Sequence, residues 1–80
     1  MTLADLKRGD HAHITAIQTA DASVQRLMVM GLVEGARLEC LGGSLGGDPM
    51  EFLLHGSALS LRRADARQFR VSPPAGGETR

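Results

Sequence analysis

Polar and apolar residues alternate in five short stretches of this chain, and one further stretch carries the three-and-four spacing of a helix. From His11 to Ile17, Ala12, Ile14 and Ala16 fall on one face and His11, His13 and Thr15 on the other, which predicts a half-buried strand. Ile17 breaks the alternation, and a bulge near Ala16 would return it to the core side. A second strand opens at Gly35, with Leu38 and Cys40 pointing one way and Arg37, Glu39 and Leu41 the other. Met50, Phe52 and Leu54 share the inner face of a third, Leu59 and Leu61 that of a fourth over Ala58 to Arg62, and Phe69 and Val71 close with a short fifth.

The helix follows the first strand. Val24, Leu27, Met28 and Gly31 fall at i, i+3, i+4 and i+7, one apolar stripe, and Gly31 can adopt the left-handed conformation that stops a helix. Asp21 or Ser23 is placed to cap its free N–H groups. Val29 and Met30 lie off the stripe. Leu3 and Leu6 suit one helical turn laid across a barrel mouth, and Arg63 to Ala66 suit another. Between the strands, Gly42 to Asp48 holds four glycines in seven residues. No Gly-Lys-Ser/Thr and no helix follow it, so it reads as a flexible hairpin loop and not as a phosphate cradle. Asp48-Pro49 ends that loop, Gly56-Ser57 makes a tight turn, and residues 72–80, SPPAGGETR, read as a disordered tail.

Five short strands are too few for a sandwich. A small, partly open antiparallel barrel, mainly β with one short helix after the first strand, hides most strand edges and makes residues 1–71 one domain. Composition sharpens this. Hydrophobic residues reach 42% of the 80 residues, yet there is no Trp or Tyr and only two Phe, so the core must be built from Leu, Val, Ile, Met and Ala. Formal net charge is zero, which removes the long-range pull toward a phosphate backbone or an anionic membrane and argues against a nucleic-acid binder. The single cysteine, Cys40, has no internal partner, and a reducing cytoplasm is the expected compartment. No apolar run is long enough for a membrane helix, and the opening MTLADLKRGD lacks the apolar centre of a signal peptide, so any membrane role is expected to be indirect.

The order of features resembles the FeoA family, small cytoplasmic accessory proteins of bacterial ferrous iron transport. The residues that carry the resemblance are Arg26-Leu27 with Met30-Gly31-Leu32 and Gly35, then Gly47-Asp48-Pro49, then Leu61-Arg62 followed by Ala66. The resemblance implies an SH3-like barrel that binds and modulates FeoB, the membrane permease with a cytoplasmic G-protein domain. The same barrel resembles the C-terminal domain of iron-dependent repressors, so a peptide-binding accessory domain of such a repressor is an alternative.

Three candidate sites follow. Met28, Val29, Met30 and Leu32 put apolar groups around more than one side of a short helix, more than a thin core can cover, and flexible methionines suit an adaptable partner surface. Arg62, Arg63, Arg67 and Arg70 gather near the C-terminus; Arg62 and Arg63 are expected to orient the barrel edge or meet an acidic partner patch, while an arginine finger would need one arginine on a well-placed loop. His11 and His13, two apart on a strand, project from one face, but two ligands are too few for a usual zinc site, and Cys40 and His55 point in opposite directions. Solvated histidines are expected, no cofactor is required, and divalent metal held there would be weak or adventitious; a metal-binding or metal-sensing domain is the second alternative. Catalysis has no support, since no Ser or Cys sits with a His and an acid in a motif and no carboxylate pair stands out. Homo-oligomerisation is left open.

Overall fold

The computed structural model describes residues 1–43 and 45–73, with the backbone alone for Leu45. The expected tail lies outside the described residues from position 74 on, as does Ser44 of the glycine-rich loop. The strands are β1 (His11–Ile17), β2 (Arg37–Gly43), β3 (Met50–Leu54), β4 (Ser57–Leu61) and β5 (Phe69–Val71), with α1 (Ala22–Val29) after β1 and α2 (Arg63–Ala66) before β5. All neighbours run antiparallel in the order β4-β3-β2-β1-β5, a strongly bent sheet that does not close. This is the mainly β, partly open architecture that the alternation implies, with one helical turn at α2.

The alternating apolar positions meet inside. Phe52, Phe69, Leu3, Ile14, Leu32, Leu61, Val24 and Cys40 are the largest fully buried side chains, and no polar or charged residue is buried among the described residues. Each buried Leu, Ile or Phe contributes roughly 1.5–3 kcal/mol relative to an exposed one. A chain with two aromatics therefore needs every such position filled.

Three local devices fit the strands to the core. The β1–β5 register shifts between Ile14 and Ala16, the bulge that the out-of-phase Ile17 calls for, and half-buried Ile17 joins the edge of the core. A second bulge, between Cys40 and Gly42, was not signalled by the pattern; Gly42 takes φ +103°, open to glycine, and the Arg8 side chain lies over it. The turn between β3 and β4 falls one residue earlier than Gly56-Ser57. His55 and Gly56 are the central pair, with φ of 52° and 81°, the positive values a two-residue hairpin turn needs, and Ser57 becomes the first residue of β4. Likewise Gly35, expected to open β2, takes φ +89° in the preceding turn, and the strand begins at Arg37.

The open end is plugged by the N-terminus. Leu3–Asp5 form a 3-10 turn held by a reciprocal cap: Thr2 Oγ1 accepts from the Ala4 N–H at 3.3 Å, and the Thr2 N–H donates to Asp5 Oδ2 at 2.8 Å. That turn drives Leu3 and Leu6 into the core and packs against α2 and β5. Thr2 bridges Arg70, and Met1 O accepts from the Val71 N–H at 3.0 Å, so the outer edge of β5 is covered.

Candidate functional site

Three of the four exposed large apolar side chains among the described residues lie where α1 turns into β2. Asp21 starts the helix, its Oδ1 accepting from the Val24 N–H at 3.0 Å. The helix ends in a Schellman arrangement: the Gly31 N–H donates to Met28 O at 3.0 Å, and the Leu32 N–H reaches back to Leu27 O at 3.1 Å. Gly31 holds φ +117°, and a Cβ on it would stand 3.3 Å from Leu54 Cδ2, so both conformation and packing demand glycine.

This reversal decides which apolar residues go inward. Leu32, in the sequence a candidate for the partner surface, is fully buried, and Met28 is half-buried against the core. Leu32 is thus corrected to a core residue: the helix stop turns its side chain beneath the helix. Val29 remains 88% exposed, Met30 55% and Val33 41%. Val33 was missed because it lies beyond the helix, where 3.6-residue spacing says nothing; its place after the Gly31-Leu32 reversal is the only signal it leaves. The corner beneath is rigidly tied, since the Gly35 N–H donates to Ile14 O at 2.7 Å and the Ile14 N–H to Ala36 O at 2.9 Å. Three apolar side chains thus stand in water on a corner held by backbone hydrogen bonds.

The arginines separate. Arg63 is half-buried and committed: its guanidinium donates to Ala4 O at 2.8 Å and Gly47 O at 3.1 Å, and its backbone N–H donates to Asp48 Oδ1 at 3.0 Å. It ties α2 to the N-terminal turn and to the glycine-rich loop. Gly47 must be small for this, because a Cβ there would lie 2.9 Å from the guanidinium. Arg62 is exposed at the start of α2, and Arg67 and Arg70 are exposed farther on. Asp65 is tied to α1, its Oδ2 accepting from Ser23 Oγ at 3.0 Å.

The histidines face the other side of the sheet. His11 and His13 stand opposite Glu39 and Arg37 and, with His55 and Ser72, line an open groove of about 580 Å³. His13 is held by Ser72, whose Oγ lies 3.1 Å from Nδ1 and accepts from the His13 N–H at 3.2 Å. Among the described residues no three His, Cys, Asp or Glu side chains form a metal-binding group. Cys40 lies inside, 1% exposed, and burial pushes its thiol above the ordinary value of 9.0. No helix among the described residues is long and apolar enough to cross a membrane.

Comparison with known proteins agrees with this architecture. The FeoA protein from Chlorobium tepidum superimposes with a TM-score of 0.85 at 38% identity, over 99% of this chain and 74% of that one. Iron(II) transport protein A from Clostridium thermocellum gives 0.83 at 27% identity, over 89% of this chain and 44% of that one. FeoA from Stenotrophomonas maltophilia, solved with zinc and described as a procaryotic SH3 domain protein, gives 0.80 at 26% identity, over 90% and 89%. No curated protein matches the sequence. The FeoA domain model matches residues 1–73, and with the SH3-like strand order and the Gly31 helix stop already in place, the chain belongs to the FeoA family.

Proposed function

We propose that this protein is a cytoplasmic accessory factor of bacterial ferrous iron uptake that works by binding the cytoplasmic portion of the FeoB permease, with no chemistry of its own. The observation that carries the contact is the exposure of Val29, Met30 and Val33 on one backbone-pinned corner. Family membership supports the process, as do the names of the neighbours from Clostridium thermocellum and Stenotrophomonas maltophilia, which refer to iron(II) transport and ferrous iron transport activation. Met28 supports the patch from its flank, and Arg62 is the nearest thing to a polar contact among the other candidates, whereas Arg63 serves the fold. No resident cofactor enters this reading, and metal at His11 and His13 would be incidental to it.

The test is a Val29→Asp, Met30→Asp double variant titrated against the permease's cytoplasmic portion. Neither side chain is buried, so the circular dichroism spectrum and melting temperature should hold. Affinity should fall at least about tenfold, since burying two unpaired carboxylates in an apolar contact costs more than the roughly 1.4 kcal/mol that tenfold represents. Unchanged affinity in a folded variant would remove this surface from the mechanism.

A further inference from the structure

β4 leaves one edge of the sheet unpaired. It has β3 on one side, and no described residue hydrogen-bonds to the backbone on its other side, whereas the opposite edge, β5, is covered by Met1 and Thr2. The hairpin determines which groups look outward. With His55 and Gly56 as a two-residue turn, Leu54 and Ser57 are a hydrogen-bonded pair, and such pairs alternate along the ladder. Ser57, Leu59 and Leu61 therefore direct their N–H and C=O groups to β3. Ala58 and Ser60 direct theirs away from the sheet.

Natural edges are usually guarded by a charge, a proline or a bulge. This one reads Ser-Ala-Leu-Ser-Leu and has none of the three; its register with β3 runs unbroken from Leu61 to Ser57. We propose that β4 is a self-association edge, on which two copies of this chain pair antiparallel about a two-fold axis at Leu59. The pattern is self-complementary. Such an axis sets Ala58 of each copy opposite Ser60 of the other, so the outward-facing residues meet and exchange four N–H···O=C bonds. Leu59 meets Leu59 of the second copy in the closer, non-hydrogen-bonded position. Leu59 is half-buried and already packed on the core, so the contact would extend the two cores toward each other. Ala58 and Ser60 are small and exposed.

Charge favours a second copy over a foreign strand. Along β4 the nearest charged side chain is Arg62, and Glu51 stands across from Ser60 on β3; the two-fold axis carries the two Arg62 residues, and likewise the two Glu51 residues, to opposite sides of the junction. Like copies thus meet through a neutral segment without repulsion, whereas the edge offers a foreign strand no charge by which to be selected. The register is two hydrogen-bonded pairs long, so the association is weak and depends on concentration. This inference stands apart from the permease-binding surface, which lies on the α1 corner.

Amide hydrogen exchange and rotational tumbling measured by NMR from about 20 μM to about 1 mM protein test it. The Ala58 and Ser60 amides should exchange at least about tenfold more slowly at the high concentration, while tumbling time rises toward twice the monomer value. Ser60→Pro should abolish both changes and keep the fold, because β3 does not use the Ser60 N–H. An Ala58→Lys, Ser60→Lys variant, which leaves every backbone donor in place, should do the same by charge. Val29→Asp should leave both changes intact. The proposal is overturned if exchange at Ala58 and Ser60 ignores concentration, or if association survives in the Lys variant. Association lost only with Val29→Asp would also overturn it, as would protection that arises only on adding the permease's cytoplasmic portion.

Discussion

Arg63 offers the sharpest test of how this small barrel is held together. Replacing it with alanine removes two charge-assisted bonds, to Ala4 O at 2.8 Å and Gly47 O at 3.1 Å, but keeps the backbone N–H bond to Asp48. Hydrogen bonds to charged groups contribute about 1.5–3 kcal/mol each when well shielded. Arg63 is only half-buried and water can replace part of each bond, so the low end applies and the pair comes to roughly 2–3 kcal/mol. Total stability for 80 residues is on the order of 4–12 kcal/mol. The loss is therefore a large fraction of the whole. At about 4–8 °C per kcal/mol for a domain this size, the melting temperature should drop roughly 10–20 °C. Arg63→Lys should recover less than half, since one ammonium cannot match two carbonyls held at a fork's spacing. Thermal and urea denaturation followed by circular dichroism would measure both variants, alongside affinity for the permease's cytoplasmic portion. A change below about 0.5 kcal/mol with weakened permease binding would refute the reasoning, because it would make Arg63 a contact residue and not a tie.

Two other perturbations probe separate parts of the fold. Asp21→Ala removes the acceptor for the Val24 N–H and should cost about 1 kcal/mol, seen as a drop of roughly 4–8 °C in melting temperature, with faster amide exchange confined to the first turn of α1. Cys40 should make the protein sensitive to alkali: burial raises its folded pKa above the ordinary 9.0, so the unfolded chain loses its proton first. That contribution is whole below pH 9 and is lost as pH rises through the folded value, so urea midpoints should fall from about pH 9 upward, and Cys40→Ala should flatten that fall.

Much of the fold can be read from residue order because strand alternation is a local property. β1 spans His11–Ile17 as its pattern says, and the misplaced Ile17 announces the bulge that the register shows. Asp21, Gly31 and Arg63–Ala66 each carry a short-range reason for a cap, a stop and a turn. Where two local signals competed, position slipped by a residue or two. Gly56-Ser57 reads as the turn in the sequence, yet the pairing of Leu54 with Ser57 across the sheet moves it to His55-Gly56. The Gly42 bulge was hidden because Gly42 reads as the start of the glycine-rich loop, whereas β2 runs on to Gly43 and Gly42 pairs with Glu51.

The candidate site was legible in kind and not in membership. Period and composition place an apolar excess around the end of α1, since Val29 and Met30 fall off the stripe that the core requires. They cannot say that Leu32 is buried and Val33 is not, because that depends on the direction the chain takes after Gly31, which the Gly35–Ile14 and Ile14–Ala36 bonds to β1 fix across the sheet. The same division holds for the arginines: four of them near the C-terminus form a cluster in the sequence, but Ala4 and Gly47, 59 and 16 residues from Arg63, make one of them a tie. Sequence alone determined the period of each element, its caps and its stops, all of which are settled within a few residues. Only the tertiary structure decided which edge lies open, which apolar side chains stay in water and which arginine is committed, because each depends on groups that folding brings together from distant parts of the chain.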